Sequence, residues 1–112
     1  MDRSIVSAAP RREDLFRAVA DPTRRAILDR LRRGGLPVGE LAAAFPVTRP
    51  AISRHLRILR GARLVTERRE GRQRVYELDP RPLVALEEWL EGYRTQLRAG
   101  LERLKARVEE DP

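Results

Sequence analysis

The sequence predicts a mainly α-helical domain carrying one small β-hairpin, and three observations predict it. Short segments with helical apolar spacing fill residues 13–62, and an alternating pattern takes over across 64–79. Helical spacing then returns for about thirty residues towards the C-terminus, with the 1.5 Å rise of an α-helix making that stretch about 45 Å long. The expected order is α-α-α-α-β-β-α. A chain of 112 residues has room for one domain and a modest core, so an added interface between two copies would help stability.

Residues 1–10 are small and polar and read as a flexible arm ahead of a single domain over 11–112. Glu13–Ala20 places Leu15, Phe16 and Val19 on one helical face. Asp21-Pro22 ends that helix, because the residue before proline avoids the helical region. The same pair opens the next one, with Asp21 as N-cap and Pro22 in the first turn. This second helix, roughly 22–33, buries Ala26, Ile27, Leu28 and Leu31 and stops at Gly34-Gly35. Pro37–Phe45 reads as a third, short helix with Val38, Leu41, Ala42 and Phe45 inward. Thr48 caps a fourth helix whose first turn contains Pro50 and whose Ile52, Leu56 and Leu59 face the core. Two short helices joined by a tight turn, the second basic on its free face, form a helix-turn-helix pattern.

The segment LVTERREGRQRVYELD (64–79) alternates β-branched, aromatic and charged residues around Glu70-Gly71-Arg72-Gln73, a hairpin turn whose register the sequence leaves open. From Asp79-Pro80 a long helix follows. Its Leu83, Leu86, Leu90, Tyr93, Leu97, Leu101, Leu104 and Val108 recur at intervals of three and four, a continuous apolar seam. A domain of this size has too little surface to cover a helix of that length, so part of the seam is expected to meet another chain.

Charge narrows the partner class. The formal net charge is +7, and of 24 basic residues only Lys105 is a lysine. A polyanion is the natural partner, and arginine forks suit phosphate and guanine edges, although a GC-rich genome also inflates arginine. No acid lies between Glu40 and Glu67, so the fourth helix presents Arg49, Arg54, Arg57 and Arg60 without local neutralisation. The absence of cysteine removes disulfides, thiol catalysis and thiolate metal sites. One histidine, His55, cannot build a zinc site alone. No apolar run approaches a membrane span and no signal-peptide core is visible, so a cytoplasmic protein without membrane partners is expected. No convergent acid, base and nucleophile suggests an enzyme. An aromatic content of 4% argues against a stacking platform for single strands.

A helix-turn-helix followed by a basic hairpin is a winged helix-turn-helix. DPTRRAILDRL, VGELAAAF, PAISRHLRILRGARLV and RREGRQRVYEL, in that order, resemble the ArsR family of bacterial winged-helix repressors over about residues 14–110. The resemblance implies a dimeric repressor of double-stranded DNA whose basic helix enters the major groove. It assigns DNA contacts to Thr48, Arg49, Ser53, Arg54 and His55, with Pro50 and Arg57 beside them. Arg69, Arg72 and Arg74 of the wing are expected at the backbone or minor groove. It pairs the first and last helices across a two-fold axis, which assigns Leu15, Phe16, Leu86, Trp89, Leu90, Tyr93 and Leu97 to the dimer interface or its support.

The sequence departs from the family pattern twice. Ala42 and Ala44 stand where metal-sensing members carry cysteines, and the last helix offers Glu87, Glu88 and Glu91 but no histidine. Carboxylates alone do not suit zinc or arsenite, so no metal or cofactor is expected and the effector is unknown. Arg63 occupies the position where the family usually ends the recognition helix with glycine, and Gly61 is the expected substitute cap. The competing reading is a winged-helix module that binds protein or RNA without operator specificity. A-form RNA closes its major groove to a helix, which favours DNA.

Overall fold

The computed structural model describes residues 12–110, so the arm expected over 1–10 lies outside the described residues. Among the described residues, five α-helices and a three-stranded sheet make up the fold. Helix α1 spans Arg12–Val19, α2 Pro22–Leu31, β1 Leu36–Pro37, α3 Val38–Ala43 and α4 Arg49–Gly61. Strands β2 (Val65–Glu70) and β3 (Gln73–Leu78) follow, then a 3-10 turn at Arg81–Leu83 and the long helix α5, Val84–Glu110.

The helix starts are set by side chains. Asp21 Oδ2 accepts the Arg24 amide at 2.9 Å, and Thr48 Oγ1 accepts the Ala51 amide at 3.2 Å, each satisfying one amide that the helix itself leaves free. The Arg24 amide, above all, holds the Asp21 carboxyl below the usual aspartate range.

The sheet is larger than the sequence suggests. Leu36 and Pro37 pair with Tyr76 and Val75, so β3 lies centrally in an antiparallel β1-β3-β2 order. Helix α3 therefore begins at Val38, with Pro37 extended as its N-cap, and not at Pro37. Gly35 lets this strand approach. A Cβ there would stand 2.7 Å from Glu77 Cγ and 3.1 Å from the Tyr76 carbonyl oxygen. The hairpin register runs Val65 opposite Leu78 to Glu70 opposite Gln73, leaving Gly71 and Arg72 as a two-residue turn. Gly71 has φ 65° and Arg72 an ordinary φ, the pattern of a II′ hairpin turn.

The end of α4 differs from expectation. Arg63, with φ 63°, takes the left-handed position itself, and Gly61 remains helical. The Leu64 amide reaches the Leu59 carbonyl at 3.0 Å and the Arg63 amide reaches Arg60 at 2.9 Å, the paired bonds of a Schellman cap. Burial of both Leu59 and Leu64 fixes this geometry, since moving the cap to Gly61 would turn Leu64 out of the core. The left-handed backbone at a residue with a Cβ costs about 1 kcal/mol.

The core lies between the α1–α4 bundle and the sheet. Ile27, Leu41, Ile52, Leu56, Leu59 and Leu64 are its largest fully buried side chains. Each contributes about 1.5–3 kcal/mol of transfer free energy. Leu15 belongs to this core at 3% exposure, so any part it has in an interface is support from beneath. Leu86 is half-buried against the core's edge. The contrast is α5, which over 27 residues buries none of its own side chains.

Candidate nucleic-acid interface

Thr48, Arg49, Pro50, Ser53, Arg54 and Arg57 are all exposed along the first three turns of α4. Helical spacing puts Pro50, Ser53, Arg54 and Arg57 on the face opposite Ile52, Leu56 and Leu59. Among the described residues, the guanidinium groups of Arg49, Arg54 and Arg57 make no hydrogen bond or ion pair. These cations are held out on a rigid element with nothing to neutralise them.

Arg60, on the last turn, is different. Its Nη1 lies 3.3 Å from Glu67 Oε1, so it joins the helix to β2. Glu67 also accepts the Tyr76 hydroxyl at 3.0 Å and lies 3.4 Å from Arg74 Nη1. Burial first, and the Glu67 carboxylate second, raise the Tyr76 hydroxyl above its ordinary pKa and keep it a donor. This half-buried carboxylate thus fixes the base of the wing relative to α4.

His55 is set apart from the exposed basic face. It is half-buried, with Nδ1 3.2 Å from Arg24 Nη1 and 3.9 Å from Asp21 Oδ2. A guanidinium has no acceptor, so in this bond Nδ1 accepts and the ring proton sits on Nε2. Arg24 also donates to the carbonyls of Ala18 at 2.8 Å and Arg17 at 3.0 Å. It therefore caps α1 and braces α4 in one side chain. Sequence reading missed Arg24, because its link to His55 spans thirty-one positions and DPTRR signals only a helix start.

In the wing, Arg69 and Arg74 are directly opposite in the register. Two like charges so placed repel, and Glu67 relieves only Arg74. Arg68 is held by Glu70 at 2.6 Å and Glu77 at 3.2 Å on the other face. Among the described residues, the Arg69 and Arg72 side chains have no such partner. Arg72 and Arg74 line a cleft of about 440 Å³ shared with Arg49, closing the gap between the wing tip and the start of α4. Among the described residues, Glu40 is its one acid. The cleft thus brings Arg49 of the helix together with Arg72 and Arg74 of the wing, and His55 is not among its lining residues.

The residues assigned to a dimer face separate into two groups. Phe16 and Trp89 rings meet at 5.5 Å between centroids, and Trp89 and Tyr93 at 5.2 Å in an edge arrangement, so α1 and α5 touch within one chain. Beyond them Leu90, Leu97, Leu101, Leu104 and Val108 stay exposed, from 56% to 72%.

A helix-turn-helix domain model matches residues 19–68, from the end of α1 into β2. The HTH-type transcriptional regulator Rv2034 of Mycobacterium tuberculosis (strain ATCC 25618 / H37Rv) is 51% identical over 89 residues, covering 80% of this chain and 83% of that one. The transcriptional repressor SdpR of Bacillus subtilis (strain 168) is 38% identical over 77 residues, covering 69% of this chain and 86% of its own. An ArsR-like transcriptional regulator from Rhodococcus sp. RHA1 superposes with a TM-score of 0.70 at 30% identity, over 89% of this chain and 92% of that structure. This chain belongs to the ArsR family of transcriptional regulators. As an ArsR-family member it is a DNA-binding transcriptional regulator, with the basic α4 as the second helix of its helix-turn-helix. Among the described residues, no helix is long and apolar enough to cross a membrane.

Proposed function

We propose that this ArsR-family regulator is a cytoplasmic, homodimeric repressor that reads an inverted-repeat operator through α4 and grips the flanking backbone with its wing. The carrying observation is the acid-free face of Pro50, Ser53, Arg54 and Arg57, unpaired and next to the Arg49–Arg72–Arg74 cleft. In this reading residues 11–112 form one unit, with α5 as dimerisation helix. Ser53 and Arg54 stand one turn into α4, where an arginine fork reaches guanine O6 and N7. Thr48, Arg49 and Arg57 meet phosphate. His55 acts from behind, offering at most its Nε2 proton to the backbone. Arg69, Arg72 and Arg74 engage phosphate or the minor groove, where an anion would relieve the Arg69–Arg74 repulsion. The exposed faces of Trp89, Leu90, Tyr93 and Leu97 meet their symmetry mates, with Phe16 beneath them, and two half-sites lie about 34–36 Å apart.

The test compares Arg54→Ala and Arg72→Ala on operator and scrambled duplexes across a salt series. Arg54→Ala should cost about 1–3 kcal/mol per half-site and relax preference at one base pair. Arg72→Ala should weaken both duplexes alike and flatten the salt slope by about one unit for each phosphate no longer neutralised. Equal losses for Arg54→Ala on both duplexes would make it a phosphate clamp and end the base-reading assignment. Tighter binding to duplex RNA than to duplex DNA would favour the alternative module.

Regulation in this reading needs no metal and no cofactor, and the chain catalyses no reaction. For the metal-independent part, the support is a sequence without cysteine, with Ala42 and Ala44 where metal-sensing members carry thiolates and no histidine on the last helix. A reproducible change of about tenfold in operator affinity with zinc, cadmium or arsenite would overturn it.

A further inference from the structure

A cleft of about 610 Å³ opens at the end of α4 remote from the DNA-facing residues, between the starts of α1 and α5. Its size is ordinary for a small-molecule site, where about 300–1,000 Å³ is usual. Leu15, Ala62 and Ala85 give it an apolar floor. Its charges are unequal in freedom. Arg81 is spent on Asp79, with contacts of 2.9 and 2.7 Å to the two carboxylate oxygens. Arg63 has no polar side-chain partner among the described residues, and Arg12 has only the face of the Phe16 ring, 5.7 Å from its centroid. Among the described residues, Glu88 is the one unpaired acid on the wall.

Arg63 supplies a second, independent observation. It holds φ 63° at the cap position where glycine would be free of strain, and it is one of the residues lining this cleft. Nothing in the cap requires an arginine, since the Schellman bonds use only backbone atoms. A strained residue with an unengaged guanidinium at a cavity wall points to a ligand.

We propose that this cleft is an effector site for a small organic monoanion, a carboxylate on a compact apolar body. The carboxylate is held by Arg63, with Arg12 beside it, and the body lies on Leu15, Ala62 and Ala85. The site touches the end of the recognition helix, the first turn of α1 and the root of α5. A ligand there would bias the angle of α4 relative to the helices that carry the dimer face. Arg12 extends the coupling, because the same side chain lies over Phe16, which contacts Trp89.

The experiment is calorimetric titration and thermal melting of the full chain without DNA, so it stands or falls apart from the operator reading. Hexanoate and benzoate should bind saturably and raise the melting temperature. Hexanamide should bind about ten- to a hundredfold more weakly, the difference expected for losing hydrogen bonds to a charged group. Inorganic sulfate should give no saturable heat. Arg63→Gly should melt above the wild type without ligand, by a few degrees, yet lose the carboxylate preference. Glu88→Gln should tighten binding, since it removes the one unpaired acid, and Ala85→Phe should abolish it by filling the floor. Equal binding of hexanoate and hexanamide, carboxylate binding by Arg63→Gly at wild-type strength, or no saturation by about 10 mM would each overturn the proposal.

Discussion

Replacing Leu97 by glutamate puts the dimer reading at risk with the fold left intact. Leu97 is 65% exposed in the single chain, and α5 buries none of its side chains, so nothing in the monomer depends on it. Fully burying a leucine contributes about 1.5–3 kcal/mol, so covering the exposed two-thirds would contribute about 1–2 kcal/mol per copy. A two-fold axis doubles this to about 2–4 kcal/mol, before any cost of carboxylates facing an apolar surface. The dimer dissociation constant should therefore rise by about 30- to 700-fold. Sedimentation velocity over a concentration series measures it, with far-ultraviolet circular dichroism confirming that helix content is kept. Operator affinity should fall with it, because each half alone reads one half-site. Ala99→Glu, on the opposite side of the same helix, is the control and should change neither quantity. A Leu97→Glu protein that stays dimeric at about 1 μM, or a wild type that is monomeric there, would refute the reasoning.

Three further outcomes follow from local geometry. Arg63→Gly should stabilise the chain by about 1 kcal/mol in urea titrations, because glycine enters the left-handed region without a Cβ clash; a loss of stability would mean that the side chain braces the cap. Gly35→Ala should destabilise by about 1–3 kcal/mol, since its Cβ meets Glu77 Cγ at 2.7 Å and the backbone oxygen of Tyr76 at 3.1 Å; a wild-type melting temperature would show that β1 can move away freely. Bonds from the Arg81 side chain and amide lower the Asp79 carboxyl from 3.8 to about 2, so its contribution is complete above about pH 4 and is lost as pH falls through about 2; Asp79→Asn should be less stable than wild type at pH 7 and converge with it near pH 2.

The helix starts were legible because each is written in adjacent residues. Asp21-Pro22 and Thr48 with Pro50 set their helices by local hydrogen bonds, and both caps form. The wing turn was legible in Glu70-Gly71-Arg72-Gln73, while its register waited on the three-stranded sheet. Leu36-Pro37 was not legible as a strand, since two residues carry no period and a proline before VGEL suits a helix start equally well. Arg63 was misjudged for a related reason. Local preference favours Gly61 as the cap, and only the burial of Leu59 and Leu64 on opposite sides of the turn decides against it. Leu15 and Phe16 are adjacent on one apolar face, yet the first goes to the core and the second to the aromatic edge. That division depends on where α5 lies, which no window of sequence contains.

The arginine-rich composition allows two explanations, genomic bias or function, and composition alone cannot separate them. Side-chain partners separate them in part. Arg24 and Arg25 are tied to the carbonyls that end α1, Arg60 and Arg74 converge on Glu67, and Arg68 and Arg81 are chelated by acids on neighbouring strands and turns. Those positions use arginine as a structural fork, and lysine, with one point charge, would satisfy fewer of the bonds. Arg49, Arg54 and Arg57 on α4 and Arg69 and Arg72 on the wing have no such employment, and Arg49 and Arg72 line one cleft. Unpaired guanidinium groups also stand at Arg30, Arg32, Arg33, Arg98, Arg103 and Arg107, so part of the arginine excess follows no acid and fits a compositional bias. At the base of the wing, by contrast, acids accompany the arginines, and along α4 none lies between Glu40 and Glu67. The acid-free run along α4, with its unpaired Arg49, Arg54 and Arg57, is what supports the proposed reading of that surface as a polyanion site.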